Sequence, residues 1–127
     1  MSAHLSRYER LVGGMYSEGA NLLFGSDTAV GAFGWASPPG LAGYWEMQAW
    51  RRAGVSLDAL FESLTLGNAR AFGLDREIGT VESGKRANLL ILRENPLEDV
   101  SAYNSIQQVI LRGRVMNRHS LSAQAKP

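Results

Sequence analysis

Apolar residues at Leu5, Tyr8, Leu11, Val12 and Met15 recur at helical spacing and predict an amphipathic helix over residues 3–18 that stops at Gly19. Gly13 and Gly14 each cost such a helix about 1 kcal/mol against alanine, so it depends on packing against another element. The run Asn21-Leu22-Leu23-Phe24 follows at once and predicts a strand. A helix joined by a very short turn to an apolar strand is the α-to-β half of a βα repeat, whose strands are normally buried on both faces. Residues 28–40 then form a long loop rich in glycine and proline.

Helical periodicity returns over residues 41–53 and 57–72, with Gly54 between the two helices and Ser56 as the N-cap of the second. Leu57, Leu60, Phe61, Leu64 and Asn68 share one stripe, and Gly73 closes the helix. Beyond residue 78 the pattern changes to short extended runs at 78–81, 87–92, 108–111 and 114–116. Gly84-Lys85 and Gly113-Arg114 supply turn signals, and Asn95-Pro96-Leu97-Glu98-Asp99 reads as a turn or one helical turn. Four short strands cannot build a large core, so this half needs a further sheet or domain to cover it. The pattern is that of an α/β chain with a polar, flexible tail from His119 to Pro127.

Composition narrows the picture only modestly. The 127 residues suffice for one domain without staples. A net charge of +1 gives no electrostatic reason to expect nucleic acid or a membrane surface as partner. There is no cysteine, which excludes disulfides, thiolate metal sites and a thiol nucleophile, and fits a reducing cytoplasm. No apolar run reaches the length of a membrane span, and residues 1–20 lack the apolar core of a signal peptide.

Asp27 carries the clearest chemistry. An apolar strand that breaks at Gly25 and then presents a carboxylate is how parallel α/β proteins deliver a catalytic group to the C-terminal mouth of a sheet or barrel. A turn or capping aspartate is the alternative. Phe33 and Trp35 in the following loop either shape a substrate pocket or pin the loop to the body of the protein, the commoner use of such aromatics. Asn68 bonds a nearby backbone group or a substrate. Glu46 and the Arg51-Arg52 pair read as solvated or locally paired surface charges. The only histidines are His4 and His119, which form no ligand pair, whereas a hydrolytic metal site takes three or more protein ligands.

Gly79-Thr-Val-Glu-Ser-Gly84-Lys85 has the spacing of a phosphate-binding loop. Arg86 stands where the magnesium-binding hydroxyl belongs, and the segment opens a strand rather than a helix, so it is a decoy.

Taken in order, Leu22-Leu-Phe-Gly-Ser-Asp27, the Gly/Pro loop, Glu46-Met47, Ala53-Gly-Val-Ser56 and Thr65-Leu-Gly-Asn-Ala69 resemble the end of the amidohydrolase superfamily barrel. The likeness continues through residues 78–92, Asn95-Pro-Leu-Glu-Asp99 and Val109-Ile-Leu-Arg-Gly113, and is nearest to imidazolonepropionase-like and Xaa-Pro dipeptidase-like members.

The resemblance implies the C-terminal part of a (β/α)8 barrel over residues 1–76, strands of a small β-sandwich over 77–118, and the tail over 119–127. It implies that Asp27 ends barrel strand eight, touches a divalent metal, usually zinc, and takes a proton from the metal's water during attack on a non-peptide carbon–nitrogen bond. That water is acidified by the cation, and a nearby carboxylate can accept its proton. Asn88 stands where many relatives have aspartate and is expected to be structural. The family's H-x-H pair, its central carboxylate or lysine, and its later histidines are not matched here.

The chain is therefore expected to begin near the seventh barrel helix and to bind no metal tightly by itself. Its partners are then the missing N-terminal barrel segment or a second copy, with a small-molecule substrate only in the complete enzyme. A non-catalytic, self-associating module of the same fold is the alternative.

Overall fold

The computed structural model describes residues 6–28 and 40–121. The chain divides into two compact units, Met1–Leu64 and Thr65–Pro127.

In the first unit, α1 (Arg7–Ser17) starts at Ser6, whose hydroxyl accepts from the Glu9 backbone while the Glu9 carboxylate accepts from Ser6 N–H at 2.7 Å. This reciprocal cap satisfies two of the donors that a helix start leaves open, and it places the first helical residue at Arg7, four residues later than the expected start at residue 3. The second helix, α2 (Leu41–Arg52), packs beside α1. The approach is close because position 13 has no side chain: a Cβ there would lie 2.4 Å from the Ala53 carbonyl oxygen.

Polar bonds fix the same pair of helices. The buried Glu9 carboxylate receives Arg52 Nε at 2.5 Å, and Glu46 accepts from Tyr8 Oη and, at 2.7 Å, from Trp50 Nε1. Helix α3 (Leu57–Leu64) is capped by Ser56, whose Oγ receives Ala59 N–H at 3.1 Å and Tyr16 Oη at 3.1 Å. Val12, Ala42, Trp50, Val55 and Leu60 form the core, with Val55 and Leu60 fully enclosed.

The helix expected over residues 57–72 is two. Thr65, at φ −127° and ψ −102°, leaves helical dihedrals between α3 and α4 (Leu66–Ala71). The expected stops are correct: Gly19, Gly54 and Gly73 take positive φ, and the two amides after each helix return to its last-turn carbonyls.

In the second unit, α4 leads through irregular chain to a three-stranded antiparallel meander, β1 (Leu89–Leu92), β2 (Ile106–Leu111) and β3 (Arg114–Asn117). Leu89 pairs with Ile110 and Ile110 with Val115, while Leu90 pairs with Val109 and Val109 with Met116. The expected strand at 78–81 is a series of bends. Gly79 explains it: at φ 99° the backbone leaves the strand region of φ, and it crosses so near α4 that a Cβ would sit 2.8 Å from Ala69 Cβ.

The β2–β3 turn has positive φ at both Arg112 and Gly113, the two-residue hairpin that matches strand twist. Asn88 Oδ1 accepts from Arg112 N–H at 2.9 Å and Ala87 O from Gly113 N–H at 3.0 Å, so Asn88 is a structural residue. Ser105, buried at the end of a 3₁₀ turn (Val100–Ser105), donates to Ala102 O and accepts from the Arg93 and Glu94 amides, tying β1 to β2 where their register shifts.

Leu90, Ile91, Leu111 and Val115 remain exposed, as expected for strands that need further cover. A second sheet is absent among the described residues. Of the expected tail, residues 119–121 join a 3₁₀ turn (Arg118–Leu121), and residues 122–127 lie outside the described residues.

Candidate functional site

Asp27 is positioned by an extended segment, residues 21–28, that leaves α1 through a turn closed by Ala20 N–H to Met15 O at 3.0 Å. Side chains alternate along it, as in a strand. Leu22, Phe24, Ser26 and Thr28 are half-buried, while Asn21, Leu23, Gly25 and Asp27 face outward. Leu22 O accepts from Ser63 Oγ of α3 at 2.8 Å, and the Phe24 ring meets Trp50 of α2 edge-on at 5.5 Å. Ser26 Cβ stands 3.8 Å from the position a Cβ would take at Gly43.

The expected strand does not form: residues 21–28 enter no sheet among the described residues, and only alternate side chains are half-buried, one face rather than two. A strand's backbone groups are satisfied by neighbouring strands, and here Leu22 O instead accepts from the Ser63 side chain.

At the end of the segment Asp27 takes φ 44°, a left-handed conformation that aspartate tolerates better than most residues. Ser26 Oγ and Thr28 Oγ1 lie 2.9 Å apart, a hydrogen bond spanning the aspartate. The Ser-Asp-Thr triplet is the sequence signal for these two hydroxyls. The carboxylate itself is exposed.

No group of three or more His, Cys, Asp or Glu side chains stands together among the described residues. One carboxylate does not hold a divalent ion, so these residues do not by themselves fit a metal centre. Glu46 lies within α2 and is engaged by Tyr8 and Trp50. Asn68 is half-buried in α4. Phe33, Trp35 and His4 lie outside the described residues, as does the side chain of His119.

Clefts among the described residues lie elsewhere. One of about 120 Å³ in the first unit is bordered by Tyr16, Asn21, Leu22, Val55, Glu62 and Ser63, too small for a substrate-sized molecule. Another, about 560 Å³ and open, lies against Arg86 and Arg112 in the second unit, where Arg86 pairs with Glu77. Neither contains Asp27. Lys85 of the decoy loop donates to Thr80 Oγ1 at 2.5 Å and pairs with Glu82 at 3.5 Å, inside its own loop.

The sequence matches the amidohydrolase family over residues 8–116, and the chain belongs to that family, whose members generally use divalent metals. Its fold is similar to a Xaa-Pro dipeptidase solved with bound methionine (25% identity, TM-score 0.70) and to a Bifidobacterium longum protein assigned as a prolidase (31%, 0.71). It also resembles molinate hydrolase in fold (24% identity, TM-score 0.74). The matches cover 86%, 83% and 91% of this chain but 25%, 25% and 28% of those structures, so it spans about a quarter of their length. No curated protein matches the sequence. Among the described residues no helix is long and apolar enough to cross a membrane.

Proposed function

We propose that the chain is the C-terminal part of a metal-dependent hydrolase that cleaves non-peptide carbon–nitrogen bonds, with some dipeptidase-like scope. Asp27 contributes one metal ligand and a proton-accepting carboxylate, and Phe33 and Trp35 border the substrate. The observation that carries this reading is the exposed Asp27 carboxylate at the end of an extended segment inside the family match. The dipeptidase and prolidase names of two similar structures support the dipeptide scope. Zinc is the expected ion, and its other ligands come from outside this chain. The complete enzyme takes a small molecule.

The purified chain alone is expected to bind no stoichiometric zinc and to hydrolyse no amide or dipeptide. Joined to the barrel segment it lacks, it gains both, and Asp27→Ala abolishes the hydrolysis. Zinc and amidase activity in the chain alone refute the reading. A non-catalytic, self-associating module is the second reading, favoured by the absence of a ligand cluster around Asp27 among the described residues. It requires Asp27→Ala to leave assembly unchanged.

A further inference from the structure

The open groove in the second unit, about 560 Å³, is lined by Arg86, Ala87, Arg112 and Gly113. Its two arginines are distant in sequence and meet because hydrogen bonds join their segments. Gly113 N–H donates to Ala87 O at 3.0 Å, and Arg112 N–H donates to Asn88 Oδ1 at 2.9 Å. The lining thus holds two cations and no carboxylate.

Both guanidiniums keep donors for a further anion. Arg86 meets Glu77 through Nη2, and the two side chains of that pair are 57% and 49% exposed. An ion pair so exposed is weak, and it leaves the Nε and Nη1 donors of Arg86 to other partners. Arg112 is exposed and forms no ion pair among the described residues.

The turn singles out Arg112 independently. A two-residue hairpin with positive φ at both positions favours asparagine, aspartate or glycine at the first, yet Arg112 stands there at φ 50°. The turn does not use its side chain, since the bond to Asn88 is made by the backbone N–H. A long cation is held in a conformation its backbone disfavours, at a groove that already has a second cation.

We propose that this groove binds a small phosphate monoester, with the phosphoryl group between the two guanidiniums. A carboxylate has two oxygens and is satisfied by one arginine, as Glu77 is by Arg86. A phosphate monoester presents three oxygens and close to two charges at neutral pH, which two arginines match and one does not. The groove has the volume of a small-molecule site, and Ala87 and Gly113 add little bulk to it, so the ester's organic part has room beside the phosphoryl group. Lys85 takes no part, being engaged with Thr80 and Glu82 inside its own loop. Nor does the proposal depend on the reading of Asp27, which belongs to the first unit.

The test titrates phenyl phosphate, and separately benzoate as its carboxylate counterpart, into the ¹⁵N-labelled chain at low salt while amide shifts are followed. Phenyl phosphate is expected to give saturable shifts at Ala87, Asn88, Arg112 and Gly113, and benzoate to bind about tenfold more weakly. Arg112→Gly removes the guanidinium, suits the positive φ and keeps the N–H that bonds Asn88, so the turn persists while affinity falls about tenfold. Arg86→Gln lowers affinity to a similar extent. Arg93→Gln, at an exposed arginine of the same unit outside the groove, makes the same change in net charge and leaves affinity within about twofold of the parent's.

Three results overturn the proposal: no saturable shifts at these amides, benzoate binding as tightly as phenyl phosphate, or Arg93→Gln losing as much affinity as Arg112→Gly. The last reduces the effect to net charge.

Discussion

Gly13 and Gly14 are neighbours in one helix and offer a test of opposite signs. Helix propensity treats them alike: alanine in place of either gains about 1 kcal/mol. Packing separates them. A Cβ at position 14 meets nothing within 4 Å, so Gly14→Ala is expected to stabilise by about 0.5–1 kcal/mol. A Cβ at position 13 would lie 2.4 Å from Ala53 O, roughly 1 Å or more inside ordinary van der Waals separation.

That oxygen cannot swing aside. Ala53 is the C-cap of α2, and the next two amides are bonded back to Arg51 O and Trp50 O at 3.1 Å each, with Val55 fully buried. Helix α1 must therefore lift off α2, which lengthens the Glu9–Arg52 contact and uncovers Val12. Overpacking of this kind costs about 1–3 kcal/mol, which cancels or outweighs the propensity gain. Urea unfolding followed by tryptophan fluorescence reads both variants. The expected order of midpoints is Gly14→Ala, then parent, then Gly13→Ala, with m unchanged. A Gly13→Ala midpoint above the parent's refutes the close approach of α1 to α2.

Three further outcomes are expected. The Glu9 carboxyl is held below its ordinary 4.5 by the Ser6 N–H bond and then by Arg52, so its contribution is complete above 4.5 and is lost as pH falls through the lowered folded value. The gap between parent and Glu9→Gln in urea midpoint should close over that acidic window, and a gap that persists there contradicts the assignment. Leu60→Ala, at a residue 1% exposed, should cost about 2–5 kcal/mol in the same assay, and a loss below 1 kcal/mol would mean that the first unit has no packed core. Asn88→Ala should cost about 0.5–1 kcal/mol and speed Arg112 amide exchange, whereas Asn88→Asp keeps the acceptor and the slow exchange. Equal exchange in all three chains removes Asn88 from the turn.

Helices and their ends were legible residue by residue. Gly19, Gly54, Gly73 and Ser56 mark boundaries through bonds to atoms at most five residues away, so local sequence contains the whole interaction. The Ser6 and Glu9 cap is equally local, and it outweighs the apolar period that begins at Leu5. The β2–β3 hairpin was legible for the same reason, its turn at Arg112 and Gly113 being a two-residue unit.

The division of the 57–72 helix at Thr65 was not legible, since nothing in that residue's propensity forces ψ to −102°. Nor was the close crossing of α4 by Gly79, which removes the strand expected at 78–81. Glu46 and Arg52 read as surface charges, yet they receive and make bonds to residues on α1 nearly forty or more positions away, which no local window contains.

Residues 21–28 divide the two kinds of information most clearly. Their sequence predicts a strand buried on both faces, whereas the structure forms no strand there and leaves alternate residues exposed. Whether that chain becomes a strand depends on backbone partners from elsewhere, because an extended backbone cannot satisfy its own donors and acceptors as a helix can. Whether Asp27 becomes part of a metal centre depends likewise on side chains brought to it through space. Sequence specifies the carboxylate, its flanking hydroxyls and the family; tertiary structure decides which neighbours meet it, and among the described residues it brings none.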